Sequence, residues 1–269
     1  MIDDRALEVL INEVYEYHGF DFGGYSRASL KRRVERLYQL DEFDNFSQML
    51  SRVRSDSGYF KRMIEEITVN VTEMFRDPSF YKVLREEVLP ILGTKPFIRF
   101  WHAGCSSGEE VYSMAIILKE ANLLHKSLLY ATDINPIVLD TAKKGIFPLQ
   151  MMKQYSENYR ESGGKNDFSD YYTANYGFAK FEEDLSEKMV FSEHNLVSDG
   201  SFNEFDVILC RNVLIYFDKD LQDRALDLFD DSLAKLGYLA LGTKETIKFS
   251  PIQKKYKQVN KEKLWRKTE

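Results

Sequence analysis

The residues best placed to do chemistry lie in FWHAGCSSGEEVYSMA, Phe100 to Ala115. An apolar run ends in the small residues Gly104 to Gly108, and two carboxylates, Glu109 and Glu110, then open an apolar helical pattern. Small residues after a strand let a ligand approach the backbone. The loop is not G-x-G-x-x-G, and a pyrophosphate would be repelled by Glu109 and Glu110. Asp133 follows the glycine loop by about 25 to 30 residues, where an acid at the end of a second strand accepts hydrogen bonds from ribose hydroxyls. A nucleoside with a cationic end satisfies all three features. S-adenosylmethionine (SAM) has that form: an adenosine, a sulfonium and an ammonium. The plainer alternative is that the acids only favour helix N-termini through the dipole.

These residues need a sheet to hold them. After Ser79–Leu89, a helix that Pro90 is expected to close, strands and helices alternate. KPFIRFWHAG, SLLYATDI, KMVFSEHNL, FDVILCRN and YLALGT read as strands. EEVYSMAIILKEAN is a helix, as is NPIVLDTAKKG, with Asn135 as cap, Pro136 at the first position and Gly145 after the end. KDLQDRALDLFDDSLAKLG is a helix expected to stop at Gly237, and the tail can hold a closing pair of strands. The alternation predicts an α/β fold with a mostly parallel sheet and helices on both faces. Ahead of it, residues 1–67 read as a small all-helical domain, with Ser26 a candidate N-cap for a basic helix. Residues 68–269 form the sheet domain. An insertion at about 147–187, rich in Tyr, Phe, Asn and Asp, is expected on the substrate side, with a short hairpin around Asn175-Tyr176-Gly177.

Composition narrows the classes. The chain has 269 residues and a net charge of −6, which argues against nucleic acid as a partner. No apolar run can cross a bilayer, and the acidic start does not resemble a signal peptide, so a cytoplasmic protein without membrane insertion is expected. Two cysteines and four scattered histidines give no metal spacing. Against the acidic background, Arg27 to Arg36 (RASLKRRVER) carries five basic residues and one acidic.

Taken together, TVNVTEMFRD (Thr68 to Asp77), WHAGCSSGEEVYSMA, ATDI, HNL (His194 to Leu196) and CRNVLIYFDK (Cys210 to Lys219) resemble the CheR family of chemotaxis receptor glutamate methyltransferases. The resemblance implies a Rossmann-like class I SAM-methyltransferase sheet behind the helical domain. It implies methyl transfer from SAM, leaving S-adenosylhomocysteine, to glutamate carboxylates on cytoplasmic helices of chemoreceptors. By position it implies that Asn70, Thr72 and Arg76 close over the cofactor and that Gly104 and Glu109 contact its methionine part. Asp133 would meet the ribose, and Asn195 and Leu196 the adenine. Asn212 and Tyr216 would line the transfer pocket with Arg76. Arg32, Arg33 and Arg36 would recognise the receptor, and a monomer is the expected unit. Val111 replaces the family's usual proline, and Gly242-Thr243-Lys244-Glu245 replaces its Gly-His-Ser-Glu-like run.

A glutamate carboxylate, which in an open peptide titrates near pH ~4.3, is already ionised at neutral pH, so the reaction needs alignment rather than a base. The plainer roles are an interdomain salt bridge of Arg76 with a nearby acid such as Asp77, a core aromatic for Tyr216, a structural His194, a solvated face for the basic run, and inert buried thiols for Cys105 and Cys210. Two rival functions stand beside the main one: a SAM-binding regulator with little turnover, and a methyltransferase for nucleic acid or a small molecule.

Overall fold

The computed structural model describes residues 2–68 and 72–268. Four helices come first: α1 (Asp4–His18), α2 (Arg27–Leu40), α3 (Phe46–Ser55) and α4 (Ser57–Ile67). Each is amphipathic and turns its apolar stripe inward, so Leu7, Leu10, Val14, Leu30, Val34, Leu37, Met49, Val53 and Met63 share one buried cluster. Asp3, Asn45 and Asp56 cap α1, α3 and α4 through side-chain oxygens. Ser26 occupies the N-cap position of α2 but makes no side-chain cap; its backbone N–H instead donates to the Tyr216 carbonyl at 2.8 Å.

The helix expected to end at Pro90 runs on. Segments α5 (Pro78–Val83) and α6 (Leu89–Leu92) are joined by a wide turn, Leu84–Val88, in which the Leu89 N–H donates to the Leu84 carbonyl. The changed bonding pattern puts Pro90 at the start of a new segment, where its missing N–H leaves no gap.

The sheet elements are β1 (Ile98–Ala103), α7 (Glu109–Glu120), β2 (Ser127–Asp133) and α8 (Pro136–Lys144). The insertion supplies β3 (Ile146–Pro148), α9 (Met152–Glu161), β4 (Tyr172–Asn175), β5 (Phe178–Phe181) and α10 (Glu183–Ser186). The sheet resumes with β6 (Met189–Glu193), β7 (Phe205–Cys210), α11 (Lys219–Ser232), β8 (Leu233–Leu241), β9 (Tyr256–Gln258) and β10 (Leu264–Lys267). The seven-stranded order is β6-β2-β1-β7-β8-β10-β9. The first five are mutually parallel; β10 is antiparallel to both β8 and β9. This is the expected Rossmann-like methyltransferase arrangement. Strand order reverses between β1 and β7, so the ends of those strands should hold the ligand.

Local chemistry is realised at α8, where the Asn135 side chain accepts the Ile137 N–H at 2.9 Å and Gly145 closes the helix. The β4–β5 hairpin forms at Tyr176-Gly177, and β9 and β10 are the closing pair. Two expectations differ. Helix α11 ends at Ser232, because Leu233 already pairs with Phe205 as part of β8. The insertion makes a separate β3-β5-β4 sheet packed against α7, with Tyr112 against Phe147 and Phe181, and none of its described residues lines the cleft below. Its apolar side is spent covering α7.

Candidate active site

At the end of β1 the chain turns through Gly104, at φ 79°. A Cβ there would lie 2.5 Å from Val213 Cγ2, so the glycine is required by its conformation and by the approach of the loop after β7. The N–H groups of Gly104 and Cys105 both donate to the Thr132 carbonyl, at 2.8 and 2.9 Å. This holds the β1 loop against the end of β2. There the Ser106 N–H donates to Asp133 Oδ2 at 2.9 Å and the Asn135 N–H to Oδ1 at 3.0 Å. The carboxylate is thus aimed by backbone donors, with lone pairs left over. Burial raises its pKa above the ordinary aspartate value, outweighing the backbone hydrogen bonds that favour the ion. The Ser106 hydroxyl beside it is buried and finds no hydrogen-bond partner among the described residues.

The two glutamates of the opening motif separate. Glu109 is buried, accepts a 2.7 Å hydrogen bond from the Ser107 hydroxyl, and does not line the cleft; burial raises its pKa. Glu110 does line it. Burial alone would raise the Glu110 pKa, but His102 Nδ1 at 2.9 Å and Arg211 at 3.4 Å hold it below the ordinary value. Adjacent helical residues point about 100° apart. Since α7 is buried nearly all round, its sequence pattern gives no sign of which acid faces the ligand.

Arg211, at the end of β7, is a buried clamp that sequence reasoning missed. Its Nη2 donates to Asp77 Oδ2 at 2.6 Å and to the Arg76 carbonyl at 3.1 Å, and its guanidinium lies 4.2 Å from the Phe80 ring centroid. The Arg76–Asp77 pair considered above is therefore not the arrangement: Asp77 belongs to Arg211, and the Arg76 side chain lines the cleft. The signal was present only as an arginine next to Asn212 at a strand end.

The helical domain supplies the other wall. Tyr25 pairs with Phe217 in an antiparallel bridge, and the Asp218 N–H donates to the Gly24 carbonyl at 3.0 Å. From α2, Arg33 turns inward, donates to the Ile67 carbonyl at 3.2 Å, and places its guanidinium 5.5 Å from the Tyr216 ring centroid. Burial raises the Tyr216 phenol pKa against the pull of Arg33 and Arg76, so the group remains a protonated donor at neutral pH. Arg32 and Arg36 stay on the exposed surface.

The result is one cleft of about 1140 Å³, counted out to open solvent, between the two domains. It brings together Thr72, Arg76, Gly104, Asp133, Asn195, Leu196, Asn212, Tyr216 and Arg33. Asn70 lies outside the described residues. Cys105 and Cys210 are buried free thiols at the ends of neighbouring strands.

Residues 70–264 match the family model described as CheR methyltransferase, SAM binding domain, and residues 5–68 match CheR methyltransferase, all-alpha domain. The chain belongs to the CheR methyltransferase family. A Pseudomonas putida protein that carries the name methyltransferase Cher3 is 47% identical over 268 residues, 98% of this chain and 97% of that protein. The chemotaxis protein methyltransferase of Vibrio anguillarum is 35% identical over 85% of this chain and 84% of its own length. That of Borreliella burgdorferi is 31% identical over 92% and 90%. This CheR methyltransferase is thus a SAM-dependent enzyme, and its cleft fits the cofactor. A carboxylate held only by backbone donors can still accept a ribose diol, and the unpartnered Ser106 hydroxyl is a further polar group at the same wall.

Proposed function

We propose that this enzyme methylates glutamate side chains on the cytoplasmic helices of chemoreceptors. The observation that carries the reading is the pair of guanidinium groups, Arg33 from the helical domain and Arg76 from the catalytic one, that both act on the Tyr216 phenol inside the cofactor cleft. Such a pocket selects an anionic acceptor: planar donor forks orient a carboxylate, and the neutral phenol donates to it. Bound SAM supplies an electrophilic methyl group on its sulfonium. Asp133 would hold the ribose, Asn195 and Leu196 the adenine, and Thr72 and Asn70 the cover over it. Gly104 would present backbone to the methionine part, and Glu110 would take the ammonium in the place expected for Glu109.

The chain contributes positioning. An ionised carboxylate needs no base, and alignment of acceptor and donor is worth roughly 7–11 kcal/mol. Arg33 and Arg76 set the acceptor oxygens, and the helical domain, docked through Gly24, Tyr25 and Ser26, keeps water from one side of the cleft. Arg32 and Arg36 remain outside as a basic face for the acidic receptor helix. The test is incorporation of radiolabelled methyl from SAM into a purified chemoreceptor cytoplasmic fragment as a base-labile ester. Tight SAM binding with no labelling of a matched receptor would favour a regulator instead.

A further inference from the structure

The loop that carries Asn212 and Tyr216 has internal bonds from the Tyr216 and Phe217 N–H groups, but its first residues are held from outside it. Asn212 sits at φ 63°, a left-handed conformation uncommon for a residue other than glycine. Its N–H donates to Glu245 Oε2 at 2.9 Å, as does the Gly242 N–H at 2.5 Å, and the Ile215 N–H donates to Oε1 at 3.3 Å. Glu245 is 5% exposed. It lies in the loop after β8, one strand over from the loop it holds. Gly242 completes the fit, since a Cβ there would be 2.7 Å from Asn212 Nδ2 and 2.8 Å from Glu245 Oε2. On the opposite side the Tyr216 carbonyl is fixed by the Ser26 N–H. A buried carboxylate is costly, and this one spends its acceptor capacity on the backbone of its own loop and of the Asn212–Tyr216 turn.

We infer that Glu245 is a positioning residue for methyl transfer: its carboxylate holds the Asn212–Tyr216 turn in the shape that lines the transfer pocket. The inference rests on the reading of that cleft as the transfer site. Glu245 does not line the cleft; it acts through the turn. Only the ionised carboxylate accepts at both oxygens. In Glu245→Gln one of the three N–H donors must face an amide NH2, and an oxygen turned towards Asn212 and Gly242 leaves Ile215 unpaired. The strained turn then relaxes while the fold around it stays.

The test uses the full chain and Glu245→Gln, with SAH binding by calorimetry, hydrogen exchange over residues 211–217, and labelling of a purified chemoreceptor cytoplasmic fragment. The expected result is an exchange-protection loss of at least tenfold confined to that peptide, kcat lowered roughly 10- to 100-fold, and KM for the fragment and SAH affinity within about threefold of wild type. A folded variant with kcat and local protection both within twofold of wild type overturns the inference. If the variant does not fold, wild type decides. Protection factors of the 212–216 amides should fall on acidification before the fold is lost, and factors unchanged until global unfolding overturn the inference. Absence of labelling by wild type would sink the functional reading alone, because the exchange measurements need no receptor.

Discussion

In the proposed division of roles Asp133 serves the nucleoside and Tyr216 the acceptor, so the two should fail in different ways. Asp133→Asn removes the charge and turns an NH2 towards the Ser106 or the Asn135 N–H, and a hydrogen bond to a charged group is worth about 1.5–3 kcal/mol. SAM affinity by calorimetry should therefore fall roughly 10- to 100-fold. The same residue sets a pH dependence. Its folded-state pKa is raised, so the native protein holds the proton more tightly than the unfolded chain between pH 3.8 and that raised value. Without SAM, stability from this group grows as pH falls through that window, whereas SAM affinity declines because the diol prefers the ionised acceptor. Calorimetric titrations at stepped pH should show the decline in wild type and not in Asp133→Asn. Tyr216→Phe, by contrast, should lower kcat while leaving the SAM dissociation constant within about threefold. Equal effects of both substitutions on both quantities would refute the division of roles.

Helix α2 should show two functions on two faces. Arg32→Ala and Arg36→Ala remove exposed charge and should raise KM for the receptor fragment, with an effect that shrinks at high salt. Arg33→Ala removes the inward guanidinium beside Tyr216 and should lower kcat at any ionic strength. Labelling kinetics at two salt concentrations separate the cases, and an Arg33 effect that vanished with salt would contradict its placement. From sequence, all three arginines belonged to one basic run; only the packing of α2 against Ile67 and Tyr216 divides them. The same limit recurs elsewhere. The cap at Asn135 and the stop at Gly145 were legible because capping chemistry is local. The end of α11 was not, because Leu233 is claimed by a strand partner distant in sequence. That Glu110 rather than Glu109 faces the cleft, and the parts played by Arg211 and Glu245, escaped notice for that reason too: each matters through a partner on another element, and a buried ion pair or a carboxylate–backbone mould leaves no periodic trace.

At the scale of the whole molecule, neither domain makes the cleft alone. Tyr25, Ser26 and Arg33 come from the helical side, and Asp133, Asn212 and Tyr216 from the sheet. Across the sheet side, Arg211 ties the segment carrying Arg76 to the end of β7, beside the bonds from the Phe75 N–H to Ser113 and from Asn158 to the Met74 carbonyl. Arg211→Met leaves Asp77 without its counter-charge and Glu110 with His102 alone, and breaking such a largely buried network costs up to about 3–5 kcal/mol. A ligand seated between the two sides must stabilise both. At one hundred times its dissociation constant it adds about 2.7 kcal/mol to folding, and for a chain of 269 residues each kcal/mol moves Tm by roughly 2 °C. Scanning calorimetry of wild type with saturating SAH should then show one transition raised by roughly 5 °C. Arg211→Met should start lower and gain less, since its cleft is no longer held in the binding shape. Two separate transitions, of which only one moves with SAH, would mean that the helical domain does not share the cofactor site.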